Sequence, residues 1–81
     1  MNPPFGFLVL RGKLVGHPGE LEVVREMVAL GKTGLGPHII AQRLNARGYK
    51  TKKLKKWAHA QVTSILARVR AKEHPYGELK I

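Results

Sequence analysis

Val62, Ile65, Leu66 and Val69 stand at i, i+3, i+4 and i+7. Only a helix turns these four positions onto one stripe, and that stripe must be buried against something. A second stripe lies upstream, in Leu21, Val24, Met27 and Val28, with Val23 and Leu30 flanking it. Between the two, Ile40 and Leu44 sit one turn apart, with the small Ala41 between them. The chain has 81 residues and no cysteine, so neither a disulfide nor a thiolate metal site holds it together. A chain this short buries only about 60–65% of its unfolded surface. The three stripes therefore have to make one thin core together.

Proline and glycine punctuate these stripes. Helix one is expected over 18–30, opened by Pro18 in the first turn and closed by Gly31. Helix two is expected over 37–47. Gly36 caps it poorly, Pro37 fits its first turn, and Gly48 ends it in a left-handed conformation. Residues 49–56 form a connection longer than the tight turn of a minimal helix-turn-helix, and helix three follows over 58–72. Ahead of these, residues 3–16 read as a β-hairpin. Phe5, Phe7 and Val9 share one face, Leu8 and Leu10 share the other, and Arg11-Gly12-Lys13 makes a three-residue turn. Residues 73–81 form a tail in which Leu79 and Ile81 alternate, as a third strand on the hairpin would. The expected fold is mainly α: a three-helix helix-turn-helix domain, preceded by a short N-terminal β-hairpin and occupying the whole chain.

The charge is concentrated on one part of this scheme. The formal net charge is +10, from 15 Lys and Arg against 5 Glu and no Asp. Residues 1–31 balance three basic against three acidic side chains, whereas residues 32–72 carry eleven basic residues and no acid. A face charged for solubility would intersperse both signs. A one-sign excess confined to a helical unit is what phosphate binding requires. No apolar run approaches the ~20 residues of a membrane span, and no basic segment precedes the short N-terminal apolar run. Neither a signal peptide nor a membrane partner is expected, and the location expected is cytoplasmic and nucleoid-associated.

Catalysis has little support. With Asp and Cys absent, a nucleophile would have to be Ser64, which lies inside helix three with no local activator. His17, His38, His59 and His74 are far apart and form no H-x-x-x-H pair. No enzyme activity, cofactor, metal or small-molecule substrate is expected, and the histidines read as surface or capping groups.

Helix three carries the informative pattern. Opposite its apolar stripe lie Ala60, Thr63, Ser64, Ala67 and Ala71, flanked by Gln61 and Arg68. An ordinary solvent face would carry more Glu and Lys, whereas small residues let a helix lie close against a groove. Gln61 suits adenine and Arg68 suits guanine or a phosphate. His59, Gln61, Thr63, Ser64 and Arg68 are therefore the candidates for base edges. Lys50, Lys52, Lys53, Lys55 and Lys56 crowd the connection beside this helix and are the candidates for phosphates. Trp57, closing the lysine run, is expected to anchor the loop into the core. Two other readings remain: an RNA-binding module stacking bases on Tyr49 and Trp57, and a basic surface gripping an acidic protein.

The order of these residues resembles a known family. Pro4-Phe5-Gly6-Phe7, Gly12-Lys13-Leu14-Val15, Pro18 with Glu20, and Val23-Val24-Arg25 begin the match. It continues through Gly34, Ile40-Ala41, Leu44-Asn45, Gly48, Thr51, Trp57, Val62 and Ile65-Leu66. Together they resemble the DNA-binding recombinase domain that follows the catalytic domain in large serine site-specific recombinases. This chain has Gly36 where the family often has a serine opening helix two, and Ala58 where a serine usually follows the tryptophan. It has Leu54 where a glycine is common in the loop, which suggests a different loop path. The resemblance implies binding to double-stranded DNA without strand exchange, since the catalytic domain with its nucleophilic serine is absent. A recombinase or another DNA-bound protein is the further partner it implies. A free-standing accessory or regulatory factor of mobile-element or phage type fits the sequence, and so does a piece of a longer recombinase.

Overall fold

In the computed structural model, which describes residues 2–79, a hairpin leads into three helices and a short closing turn. Strands β1 (Phe7–Leu10) and β2 (Lys13–Gly16) pair antiparallel, with Phe7 opposite Gly16 and Leu10 opposite Lys13. That register leaves Arg11 and Gly12 as a two-residue turn, not the three-residue turn expected. Both take positive φ, 53° and 76°, the type I′ geometry whose twist matches that of paired strands. Arg11 accepts a backbone angle usually left to Asn or Gly, so the sequence did not announce this turn.

Helix α1 spans Pro18–Lys32. Its N-cap is His17, whose Nδ1 accepts the Glu20 N–H at 3.1 Å. The helix runs through Gly31 and beyond the expected end. The left-handed residue is Gly34, at φ 91°, and its N–H bonds back to the Gly31 carbonyl. A Cβ at Gly31 would meet Arg70, Leu66 and Ile40 at ordinary van der Waals range. Helix α2 spans Pro37–Ala46 and starts at Gly36 with no side-chain cap. It ends in a Schellman motif: Gly48 at φ 79° donates to the Asn45 carbonyl, and Tyr49 donates to the Leu44 carbonyl. Helix α3 spans His59–Arg70, shorter at both ends than expected, with Ala58 as N-cap and Ala71 as C-cap. A second Schellman motif closes it. Here Lys72 takes the left-handed position at φ 54°, and Glu73 donates to the Arg68 carbonyl.

All three helices turn their stripes inward. Val23, Val24 and Met27 from α1, Ile40, Ala41 and Leu44 from α2, and Val62, Ile65 and Leu66 from α3 form one buried cluster with Trp57. The hairpin joins this core through its aromatics. Phe5 meets Trp57 edge-on at 4.9 Å between centroids, and Phe7 meets Tyr76 at 5.4 Å. The outer part of β1 does not join: Val9 and Leu10 stay exposed. A short strand paired on one side only has nothing to cover its tip.

The described part of the tail, through Leu79, forms no third strand. It folds as a 3₁₀ turn, Tyr76–Glu78, that buries Tyr76. The Tyr76 hydroxyl donates to the Phe5 carbonyl at 2.6 Å, so the tail closes on the hairpin through a side chain and not through a ladder. Leu79 is half-buried against the core, while Ile81, its expected alternating neighbour, lies outside the described residues.

Candidate nucleic-acid interface

The connection between α2 and α3 is held at both sides. From the end of α2, the Asn45 side chain bonds the backbone of Trp57 twice. Its Oδ1 accepts the Trp57 N–H at 2.7 Å, and its Nδ2 donates to the Trp57 carbonyl at 2.9 Å. The carboxamide thus acts as a peptide group would in a β-bridge. Trp57 itself is buried in the core, with its indole Nε1 unpaired among the described residues. It offers no platform for stacking a base, and Tyr49 is half-buried.

On the other side, Lys52 reaches back to the first part of the chain. Its ammonium donates to the Phe7 carbonyl and to Glu20 Oε1, both at 2.8 Å. Glu20 Oε1 also accepts the Gly6 N–H at 2.8 Å. One carboxylate therefore fastens hairpin, α1 and loop together. No local pattern signals this role, because its partners lie 14 and 32 positions away.

Above these anchors the loop closes on Thr51. The Thr51 N–H donates to the Lys55 carbonyl at 3.0 Å, the Leu54 N–H to the Thr51 carbonyl at 2.8 Å, and the Lys55 N–H to Thr51 Oγ1 at 3.2 Å. Leu54 sits at φ 60°, in the left-handed region where glycine is at ease. Lys50, Lys53, Lys55 and Lys56 are exposed around it.

Helix α3 begins beside this loop. Ala58 has no capping side chain, and Gln61 Oε1 compensates by accepting the Ala58 N–H at 2.8 Å. Ala60, Gln61 and Ser64 line one groove with Phe5, Thr51, Lys52, Trp57 and Ile65. Two of the base-edge candidates thus share a surface with the neck of the lysine loop. Thr63 is exposed, and its hydroxyl donates to the His59 carbonyl at 2.9 Å.

The remaining candidates lie elsewhere. His59 occupies a different cleft, between the starts of α2 and α3, lined also by His38, Gln42 and Asn45. There the His38 and His59 rings stack at 4.0 Å with 22° between their planes. Their separation in sequence hid this pairing, although each lies at the start of its helix. Arg68 turns toward the tail, where it pairs with Glu73 at 3.2 Å and lies over the Tyr76 ring at 5.1 Å. Burial pushes the Tyr76 hydroxyl above its ordinary pKa; the Arg68 guanidinium opposes that shift and Glu20 adds to it. Among the described residues no group of three potential metal ligands occurs, and no helix is long and apolar enough to cross a membrane.

A family model described as Recombinase matches residues 18–72, which take in all three helices and the lysine loop. No curated protein and no solved structure matches the chain.

Proposed function

The chain belongs to the Recombinase family, a domain that binds DNA in serine recombinases, and from that premise we propose that it binds double-stranded DNA sequence-specifically. Helix α3 lies in the major groove and the lysine loop holds the backbone. One observation carries this reading: the outward residues Gln61 and Ser64 line one groove with Thr51 and Lys52, at the neck of the lysine loop, within a 32–72 stretch that holds no acid. A helix faced with small side chains can approach base edges, while lysines at its flank neutralise phosphates. Lys50, Lys53, Lys55 and Lys56 serve phosphates in this reading. Lys52, fastened to Glu20 and Phe7, mainly positions the loop. Gln61 and Ser64 are the foremost readers of bases, Thr63 and His59 flank them, and Arg68 approaches the duplex from the tail end. A recombinase or another DNA-bound protein is the second partner, whether the domain acts alone or within a longer chain.

The burial of Trp57 weakens the single-stranded RNA reading, which needed that ring as a stacking surface. The experiment is selection from a random duplex library, followed by binding at graded salt. If about five phosphates are neutralised, log K against log salt falls with a slope of about −4 to −5. Affinity that is equal at low and physiological salt, or equal for every duplex, overturns the reading.

A further inference from the structure

Leu54 is 79% exposed, well above Leu10 at 56%, Val9 at 42% and Ile39 at 41%. It is also the large apolar residue that the chain holds in a left-handed conformation, at φ 60°, where a side chain crowds the following carbonyl. Backbone strain works against the folded state, and a side chain left in water contributes no burial to offset it. Yet the loop is built to hold this residue in place. Thr51 closes the turn with three hydrogen bonds, and the base of the loop is fastened by Lys52 to Glu20 and by Trp57 to Asn45. An apolar side chain is thereby presented at a fixed tip, between Lys53 and Lys55.

We propose that Leu54 is an apolar wedge that enters the DNA minor groove and partly unstacks one base step. The proposal rests on the duplex-binding reading above. Lysines on both sides of Leu54 would seat on the two phosphate strands that border the groove, releasing counterions as they do so. The leucine then loses its contact with water against base faces, which neither free solvent nor the protein core provides. Leucine is among the side chains able to pry a step open from the minor-groove side and kink the duplex. The neck of the loop shares its groove with Gln61 and Ser64, so the tip and the outer face of α3 can address one duplex together. Docking of Leu54 onto another protein is less well supported, because lysines are depleted from protein–protein contacts.

Leu54→Gly separates the wedge from the fold, since glycine adopts this φ freely and the melting temperature should hold or rise. Leu54→Met keeps an apolar side chain at the tip. The full chain is bound to a selected duplex carrying end-to-end energy-transfer dyes, with 2-aminopurine placed at successive steps. The wild type should bend the duplex by about 20–90° and brighten 2-aminopurine at one step. Leu54→Gly should bind while leaving both signals at their free-duplex values, and Leu54→Met should keep both changes. A wild-type complex that is straight and fully stacked, or a Leu54→Gly complex that bends like the wild type, overturns the wedge alone. Failure of the wild type to bind any duplex overturns the duplex-binding reading, and the wedge with it.

Discussion

Asn45 joins α2 to the loop through a single carboxamide, and its removal would leave the N–H and carbonyl of Trp57 without partners beside the core. Each buried polar group left unpaired costs about 1–3 kcal/mol. Asn45→Ala should therefore lower the unfolding free energy by at least about 1–3 kcal/mol, read as a lower urea midpoint at unchanged m-value. Asn45→Asp, which still accepts from the Trp57 N–H, should cost less. Tyr76 gives the second residue-scale expectation. Its hydroxyl ionises above the ordinary value of 10.0 in the folded state, chiefly through burial. Between that value and the folded pKa, the unfolded chain releases the proton while the folded chain keeps it. Stability on this account is fully present below pH 10.0 and is lost as pH rises through the folded pKa. Tyr76→Phe should flatten that alkaline fall, at a cost of about 0.5–1.5 kcal/mol at neutral pH for the lost bond to Phe5. Neither residue could be assigned its role from sequence. Asn45 lies 12 positions from its partner and Tyr76 lies 71 from its own, and no local period links either pair.

At the scale of elements, the helices were legible because their apolar residues recur every three or four positions and because Pro18 and Pro37 open two of them. Their ends were less legible. Gly31 reads like a terminator yet sits within α1, while Lys72 takes a left-handed seat that no composition rule assigns to lysine. In the tail, Tyr76 had the larger apolar surface to bury and sits in a 3₁₀ turn, whereas the alternation of Leu79 and Ile81 runs outside the described residues. The lysine loop and α3 should separate in their effects on binding. Replacing Lys53, Lys55 and Lys56 by alanine should weaken binding to all duplexes alike, and make the salt slope shallower by roughly one unit per lost phosphate contact. Replacing Gln61 should cost about 1–3 kcal/mol on the selected site and relax one base preference. Because Gln61 also accepts the Ala58 N–H, its thermal melt has to be compared in the same series, with Ser64→Ala as a variant outside the cap. A lysine triple that shifts base preference, beside a Gln61→Ala that does not, would make the loop the reader.

For the whole molecule, one core joins the three helices and Trp57, and Ile65 is part of it at 8% exposure. Ile65→Ala should cost about 2–5 kcal/mol, a large share of the roughly 5–15 kcal/mol typical of a folded domain, as read by chemical denaturation. A loss much below this would mean that α3 is set in the wrong rotation. The site was readable only in part at this scale. Charge segregation pointed to the loop and to α3. The splitting of the candidates, with Gln61 and Ser64 in one groove, His59 in a cleft with His38 and Arg68 at the tail, depends on how three helices cross. The bond between Tyr76 and Phe5 also joins residues near the two ends of the described chain. Under mechanical tension the domain then behaves as a ring closed by a clasp. A pull applied at both ends loads the Tyr76 hydroxyl and its ring contact with Phe7 before the helices bear force, so the hairpin and tail part first. Helices α1 to α3 come under load only after that clasp has opened.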